Sequence, residues 1–261
     1  MDCPNPFSLA GRTVLLTGAS GYLGQAMSLG LAQAGASVVV SSRTLDKSQS
    51  LAAELPVIGN AQHHAVQIDH LDPDSIESGF AAAIAAAHQI DVLVANGHEA
   101  LANDWKQVSP EQFNRQLQNA TGYFLLARHL RNHLVKHNAP GSIIMLGSMY
   151  GLVGSYPDAY QDLANASPVA YHALKGGVLQ MVRHLAVYWA EDHVRVNALS
   201  PGPFPAPAAS PEMIEKLKQK SPMKRMGQPQ ELIGPLVFLA SEASSYVTGH
   251  NLVVDGGWTA W

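Results

Sequence analysis

The amino-acid sequence predicts an α/β fold, a doubly wound parallel sheet of about seven strands with helices on both faces. Short runs that are apolar on both faces alternate with longer helical stretches. Strands of this kind occur in parallel sheets that are covered on both sides. The chain of 261 residues has no linker, repeat or break in composition, and 47% of its residues are hydrophobic, so we expect a single domain over residues 1–261.

The strands and helices alternate along the chain. Strands are predicted for the apolar runs at residues 12–16, 36–42, 65–69, 90–96, 141–146, 194–199 and 251–254. Helices are predicted for the stretches between most of them, ending at about residues 34, 54, 87, 137, 191, 220 and 241. Ligands of such sheets bind beyond the carboxyl ends of the strands, so polar motifs at those ends are candidates for a site.

Composition excludes several classes of protein. The net charge of −4 and the lack of a long basic run argue against a nucleic-acid binder. Cys3 is the one cysteine, which excludes an intramolecular disulfide and fits a reducing compartment. No apolar run approaches the roughly 20 residues of a membrane span, and the N-terminus lacks the pattern of a signal peptide. We therefore expect a cytoplasmic protein with no membrane or nucleic-acid partner.

A glycine-rich turn lies between the first predicted strand and the first helix. Glycines spaced as Gly18, Gly21 and Gly24 permit a tight turn and let backbone N–H groups approach a pyrophosphate at the start of the helix. The turn therefore predicts a dinucleotide site. Its candidate contacts are Gly18, Ser20, Gly21, Tyr22, Leu23 and Gly24.

The end of the second strand indicates which dinucleotide is bound. An acidic residue there would bind the 2′-hydroxyl of NAD, whereas an arginine accommodates the 2′-phosphate of NADP. The chain has Ser42 and Arg43 at this point and no carboxylate. Arginine pairs well with phosphate, so NADP(H) is favoured over NAD(H). The alternative is that Arg43 is a solvated residue at a strand end.

Tyr171 and Lys175 are four residues apart in a predicted helix, so they lie on one face. A lysine ammonium near a phenol favours the phenolate and lowers the pKa of the tyrosine, which then exchanges a proton near neutral pH. The spacing alone is common on helix surfaces. Whether this spacing indicates a catalytic pair depends on the motifs around it.

These motifs, taken in order, resemble those of the short-chain dehydrogenase/reductase family, in its branch of about this chain's length. The resemblance covers residues 17–257 and implies a Rossmann-type NAD(P)-binding fold. The further pieces that carry it follow successive strands or lie in the helices between them: Asp69, Asn96, Gly97, Asn119, Ser148, Pro201, Gly202 and residues 254–257.

The resemblance implies an NAD(P)-dependent oxidoreductase that interconverts an alcohol and a ketone or aldehyde by hydride transfer. Tyr171 would be the general acid/base, and Lys175 would lower its pKa and hold the nicotinamide ribose. Ser148 would hydrogen-bond the reacting oxygen, and Asn119 would hold a water that links Lys175 to solvent. Family members are commonly homo-oligomers, dimers or tetramers, and the remaining partner is a small-molecule alcohol or carbonyl substrate.

The resemblance also implies further cofactor contacts. Asp69 would contact the adenine, and Asn96 and Gly97 the adenosine or the nicotinamide ribose. The backbone of residues 201–204 would contact the carboxamide. The candidates in that segment are Pro201, Gly202 and Phe204, and Tyr171 and Lys175 would contact the cofactor as well.

The chain departs from the family pattern at single positions. Tyr22 stands where the family has its second glycine, and the spacing from Gly18 to Gly24 is that of the branch that modifies nucleotide-sugars. His98 replaces a glycine near the expected cofactor. It is either a substrate or ribose contact or, as the commoner outcome, a partly exposed loop residue. Ala206 stands in the place of a threonine, so the hydroxyl that the family directs at the carboxamide is missing.

The segment before the catalytic pair is long. Tyr171 follows Ser148 by 23 positions, roughly ten more than is usual in the family, or about three turns if helical. Residues 154–167 carry two tyrosines, two aspartates, Gln161 and Asn165. A polar segment bordering the site predicts a hydroxyl-bearing substrate such as a sugar or polyol derivative. The alternative is that it packs on a neighbouring subunit or extends into solvent.

Some features of the sequence bear on two other functions and on a metal site. The glycine spacing would suit an epimerase or dehydratase of nucleotide-sugars, although that branch usually adds a C-terminal substrate domain. A catalytically silent cofactor-binding regulator would be expected to lose Ser148, Tyr171 or Lys175. His129, His133 and His137 recur at helical spacing without a carboxylate, so we expect a solvated helix face and no metal.

Overall fold

The computed structural model describes residues 5–101, 103–160 and 167–261. The expectation for Cys3 lies outside the described residues. The same holds for Gln161, Asp162 and Asn165, which belong to the polar segment of residues 154–167.

The chain folds around one seven-stranded sheet, in which every described pairing is parallel. The strand order across the sheet is β3-β2-β1-β4-β5-β6-β7. This confirms the predicted fold class. The strands are β1 (Thr13–Thr17), β2 (Ser37–Ser42), β3 (His64–Gln67), β4 (Val92–Ala95), β5 (Gly141–Leu146), β6 (Val194–Pro201) and β7 (Asn251–Val254).

Helices fill the connections between the strands. They are α1 (Tyr22–Gln33), α2 (Leu45–Glu54), α3 (Pro73–Ala87), α4 (Pro110–Lys136), α5 (Pro157–Tyr160), α6 (Val169–Trp189), α7 (Pro211–Lys220) and α8 (Ile233–Ala240). Short 3₁₀ turns occupy Met149–Gly151, Ala190–Asp192, Pro229–Leu232 and Glu242–Ser244. No helix in the described ranges is long and apolar enough to cross a membrane.

Two hydrophobic cores lie on the two faces of the sheet, because successive strand residues point to opposite sides. Leu15 and Leu93 belong to the core that α3, α4 and α6 cover. Val14 and Val94 belong to the other core, which α1 and α8 cover. Burial on both faces explains why the strands are apolar throughout.

The order of connection reverses between β1 and β4, which are neighbours in the sheet. The loops that leave these two strands therefore diverge and open a crevice at their carboxyl ends. The two loops touch through glycines. Gly18 has φ 64°, and a Cβ on it would lie 2.8 Å from the Cα of Gly97. Both the short distance to Gly97 and the positive φ exclude a residue larger than glycine at position 18. The main chains of the two loops can therefore approach each other closely.

Candidate active site

A cleft of about 320 Å³ lies at this crevice. Its walls are the glycine turn after β1 and the ends of β2, β3 and β4. Ten of the residues expected to bind the cofactor line it: Gly18, Ser20, Gly21, Tyr22, Leu23, Gly24, Ser42, Arg43, Asn96 and Gly97. The structure therefore brings most of the predicted dinucleotide contacts together.

The glycine turn is shaped to hold a pyrophosphate. A Cβ on Gly24 would lie 2.3 Å from the carbonyl oxygen of Gly18, so the helix start packs directly on the turn. Gly21 is the N-cap of α1, makes no side-chain cap, and is followed by a first turn without acidic residues. The first N–H groups of a helix lack partners within it and attract anions. A dinucleotide phosphate fits this cradle, even with Tyr22 in place of the second glycine.

Arg43 reaches across the mouth of the cleft. Its Nη1 lies 3.5 Å from a carboxylate oxygen of Glu99, in the loop after β4. Arg115 of α4 holds the same carboxylate with two hydrogen bonds of 2.8 and 3.2 Å, and the hydrogen bond from Arg115 lowers the pKa of Glu99. Arg43 is thus paired, although its side chain is 62% exposed. Sequence reasoning missed Glu99, because no local pattern connects it to Arg43.

Besides Tyr171 and Lys175, four expected cofactor contacts lie outside the lining of the cleft: Asp69, Pro201, Gly202 and Phe204. Asp69 accepts a hydrogen bond from the main chain of Leu71 at 3.0 Å, and its neighbour His70 lines the cleft instead. Phe204 lines a separate cavity of about 330 Å³. The main-chain N–H of Gly202 donates to the carbonyl of Val254 at 2.9 Å. Contacts of these four with a cofactor stay a prediction.

Ser148 and Tyr171 meet although 23 positions separate them. Ser148 follows β5 and begins the 3₁₀ turn Met149–Gly151, whereas Tyr171 lies in the first turn of α6. A hydrogen bond joins their side chains. Burial raises the pKa of Tyr171, and the hydrogen bond with Ser148 opposes that rise only in part. The expected lowering of this pKa by Lys175 is therefore not what this structure shows.

The burial of Lys175 explains why it does not lower the pKa of Tyr171 as expected. Its side chain is 4% exposed, and Nζ donates to the carbonyl oxygen of Leu146 at 2.6 Å. Nζ lies 5.4 Å from the ring centre of Tyr123 and 5.7 Å from that of Tyr171, so the lysine sits between two aromatic rings. Burial lowers its pKa to about 7. A lysine that is itself reluctant to carry charge does little to stabilise a phenolate.

Asn119 holds two loops to α4. Its Oδ1 accepts from Nε2 of His70 at 2.8 Å and from the main chain of Glu99 at 2.9 Å. Its Nδ2 donates to the carbonyl of Gln116 at 2.9 Å. The side chain is thereby committed to protein partners. The proposed water link to Lys175 stays a prediction, and the contact with His70 is a role that the sequence did not reveal.

His98 lies in the site. Its ring is partly buried and packs edge-on against the ring of Tyr171, with 5.3 Å between the ring centres. Burial, together with the nearby charges of Lys175 and His70, lowers the pKa of His98 to about 3. His98 is a partly exposed loop residue, as the commoner of the two outcomes has it, and it also borders Tyr171. A contact with the substrate or the ribose stays a prediction.

The described part of the polar segment borders the same site. The hydroxyl of Tyr160, at the end of α5, lies 2.6 Å from the hydroxyl of Tyr150. The ring of Tyr150 stacks on His172 with 4.6 Å between centres. Asp158 pairs with Lys220 of α7 at 2.6 Å. Tyr150 was not singled out from the sequence, since its partner lies ten positions away and no motif includes it.

The three regularly spaced histidines of α4 do not form a metal site. His129 stacks on Phe80 with 5.4 Å between ring centres, and Nε2 of His133 lies 3.2 Å from Oε1 of Gln89. Within residues 5–101, 103–160 and 167–261, no group of three histidine, cysteine or acidic residues is arranged to hold a metal ion.

Comparisons with known proteins extend over nearly the whole chain. The family model described as enoyl-(acyl carrier protein) reductase matches residues 18–259. D-arabinitol 2-dehydrogenase (ribulose-forming) of Scheffersomyces stipitis is 35% identical, over 99% of this chain and 97% of that protein. Galactitol 2-dehydrogenase (L-tagatose-forming) of Cereibacter sphaeroides is 34% identical, over 100% of both chains.

Solved structures share the fold closely. A short-chain type dehydrogenase/reductase from Mycobacterium marinum has a TM-score of 0.87 and 32% identity, with 98% of each chain covered. A gluconate 5-dehydrogenase from Burkholderia cenocepacia, in complex with NADP and tartrate, has a TM-score of 0.86 and 27% identity, again with 98% of each chain covered.

Proposed function

We propose that this chain is an NADP(H)-preferring dehydrogenase that oxidises one hydroxyl of a sugar or polyol to a ketone or aldehyde, or catalyses the reverse. The chain belongs to the short-chain dehydrogenase/reductase family. Its relatives are dehydrogenases that act on CH–OH groups, and so does this chain. The observation that carries the finer proposal is the hydrogen-bonded pair of Ser148 and Tyr171, with Lys175 behind it and the dinucleotide cleft beside it.

Each of these side chains has a distinct task in the proposed reaction. The nicotinamide, when bound, takes or supplies the hydride. Ser148 would hold the reacting oxygen. Tyr171 would act as the phenol when it gives its proton to the carbonyl oxygen during reduction, and as the phenolate when it takes the proton of the alcohol during oxidation. Lys175 donates to the Leu146 carbonyl, and its Nζ lies 5.7 Å from the ring centre of Tyr171.

The preference for NADP(H) rests on the end of β2. Ser42 and Arg43 line the cleft, and no carboxylate accompanies them on that strand. An arginine pairs with a 2′-phosphate, whereas an acidic residue would repel it. Related structures include a complex with NADP and another with bound NAD⁺. The cofactor preference is therefore a property of the strand end rather than of the family.

The proposed substrate class rests on the hydroxyls near Tyr171. The hydroxyls of Tyr150 and Tyr160 lie 2.6 Å apart, and each of these tyrosines is close enough to Tyr171 to interact with it electrostatically. Hydroxyls that both donate and accept suit a substrate with several hydroxyls of its own. Relatives whose names specify D-arabinitol, galactitol and L-rhamnose as substrates support the same class.

A homo-oligomer is part of the proposal. Val187 and Tyr188, on the outer face of α6, are 76% and 68% exposed. Exposed apolar side chains on a long helix suit contact with a second copy of the chain. The apolar residues that α6 turns inward, such as Val178 and Val182, belong to the core instead.

The proposed function is tested with a substrate panel. D-arabinitol, galactitol, D-glucose, 2-butanol and an aliphatic ketone are assayed with NADP⁺ or NAD⁺, or with the reduced forms for the ketone. We expect a polyol or sugar to be the best substrate, with NADP⁺ preferred by about tenfold or more, as a charged hydrogen bond to the 2′-phosphate requires. A preference for NAD⁺ would contradict the role of Arg43, and faster turnover of the simple alcohol or ketone would contradict the substrate class.

The control variant for this panel is Tyr171→Phe. It removes the hydroxyl but keeps the ring against His98 and Lys175. Loss of general acid/base catalysis lowers kcat by about 10²–10⁴-fold. Fluorescence titration should show NADPH binding close to that of the wild type. Full turnover by this variant would exclude Tyr171 as the proton donor, and cofactor binding without any redox turnover in the wild type would favour the regulator.

A further inference from the structure

His98 stands between the dinucleotide cleft and the reacting groups. It directly follows Gly97, which is pressed against the glycine turn, and its side chain lines the cleft. Neither Tyr171 nor Lys175 belongs to the lining of that cleft, yet the ring of His98 packs edge-on against Tyr171. Any ligand that reaches from the cleft to the phenol therefore passes this imidazole.

One nitrogen of this imidazole has no partner. Nδ1 of His98 is enclosed and makes no hydrogen bond with any part of the chain that the structure describes. The neighbouring polar groups are committed elsewhere, since His70 bonds Asn119 and Lys175 bonds the carbonyl of Leu146. An unpaired buried polar atom costs about 1–3 kcal/mol, and such atoms in native proteins call for a specific explanation.

The charge of His98 restricts what it can bind. Three ionisable neighbours act on it: Lys175 and His70 disfavour the imidazolium, and Glu99 favours it. Burial is the largest influence, and the pKa of about 3 leaves the ring neutral at working pH. A neutral imidazole donates one hydrogen bond and accepts another, which matches an alcohol group better than an anion.

We propose that His98 is a specificity residue that hydrogen-bonds an aliphatic hydroxyl group bound beside Tyr171. The inference rests on the proposed function for the substrate class. The hydroxyl belongs either to the substrate, next to the carbon that is oxidised, or to the ribose of the cofactor. The ring has no hydrogen bond at Nδ1 to break when it turns toward this group. Its edge contact with Tyr171 is the main interaction that such a turn would cost, about 0.5–1.5 kcal/mol.

Two variants test the proposal. His98→Phe keeps a ring against Tyr171 but cannot hydrogen-bond, and His98→Asn keeps a hydrogen-bonding group near the position of Nδ1. Thermal unfolding first establishes that both fold as the wild type does. The dissociation constant of NADPH is then measured by fluorescence titration, and kcat/KM is measured for D-arabinitol, galactitol and 2-butanol with NADP⁺.

The two sources of the hydroxyl give different results. If it belongs to the substrate, His98→Phe lowers the kcat/KM ratio of polyol over 2-butanol by about three- to tenfold, mainly through KM, and leaves the NADPH dissociation constant unchanged. If it belongs to the ribose, the NADPH dissociation constant rises by a similar factor and the ratio is unchanged. His98→Asn restores most of either loss. Unchanged values of both quantities in His98→Phe would overturn the proposal.

The test separates this inference from the proposed function. If the wild type oxidises no polyol, the proposed function fails on its own panel. His98 is then judged by NADPH titration and by calorimetric titration of D-arabinitol into the NADPH-bound protein. A His98→Phe variant that binds both as the wild type does would overturn the inference independently of turnover.

Discussion

At the scale of single residues, burial decides the chemistry of Lys175. Its ammonium is enclosed between the rings of Tyr123 and Tyr171, with the carbonyl of Leu146 as its hydrogen-bond acceptor. No carboxylate contributes to its pKa, which burial lowers from 10.5 to about 7. Burial likewise raises the pKa of Tyr171.

The lowered pKa of Lys175 predicts a pH-dependent stability. The unfolded chain binds more protons than the folded one between pH 7 and 10.5, so the penalty for burying the ammonium is complete below about pH 7 and fades as the pH rises toward 10.5. Relative to Lys175→Met, the wild-type protein should gain stability over this window, by an amount on the order of a few kcal/mol. Urea unfolding of both cofactor-free proteins from pH 6 to 10 measures it. A constant difference would show that the lysine is not desolvated.

At the scale of elements, α4 is pressed onto the loop that follows β3. A Cβ on Gly122 would lie 1.9 Å from the carbonyl oxygen of His70. This close approach lets Asn119, one turn earlier on α4, reach Nε2 of His70. The same helix thereby holds the loop after β3 and, through the main chain of Glu99, the loop after β4.

A substitution at Gly122 should therefore act on the site. Gly122→Ala forces the helix away from His70 and is expected to destabilise the protein by about 1–3 kcal/mol and to weaken NADPH binding. Gly177→Ala in α6 is the matched control, since a Cβ there meets nothing within 4 Å. Alanine at this position should raise the free energy of unfolding by as much as about 1 kcal/mol. Thermal and urea unfolding compare the two. Equal stability of both variants would contradict the close packing of α4.

At the scale of the whole molecule, a residue near the C-terminus packs against the turn that begins at Ser148. Trp258 is 1% exposed and packs with Met149 and Tyr150, in the turn that begins at Ser148. Its ring also meets that of Tyr156 edge-on, at 5.4 Å between centres. Residues far apart in sequence thus fix the loop that carries Ser148.

Removal of this side chain should affect both stability and catalysis. Trp258→Ala leaves a cavity and is expected to cost about 3–5 kcal/mol, with a lower kcat because Ser148 loses its support. Trp258→Phe is the control. It keeps a ring and removes Nε1, which has no hydrogen-bond partner among the described residues, so it should stay closer to the wild type. A Trp258→Ala protein that unfolds and turns over substrate as the wild type does would contradict this role of Trp258.

Periodicity predicted the alternation of strands and helices, because both depend on local residue patterns. The predicted helix that ends near residue 241 is divided in the structure into a 3₁₀ turn at Pro229–Leu232 and the helix α8. Pro235 is the reason, since its missing N–H is tolerated only in the first turn of a helix. The partners Glu99, His70 and Tyr150 were not predicted, because their contacts join separate loops and leave no spacing in the sequence.

The pairing of Glu99 with two arginines has a consequence for cofactor entry. In the proposed NADP(H) complex, the 2′-phosphate would compete with Glu99 for Arg43, whose contact with that carboxylate is solvent-exposed and worth at most about 1 kcal/mol. Arg115 keeps its two hydrogen bonds with Glu99, so the carboxylate is not left bare when Arg43 moves. In the proposed complex, the phosphate would therefore replace Glu99 on Arg43, while Arg115 would keep the displaced carboxylate in place.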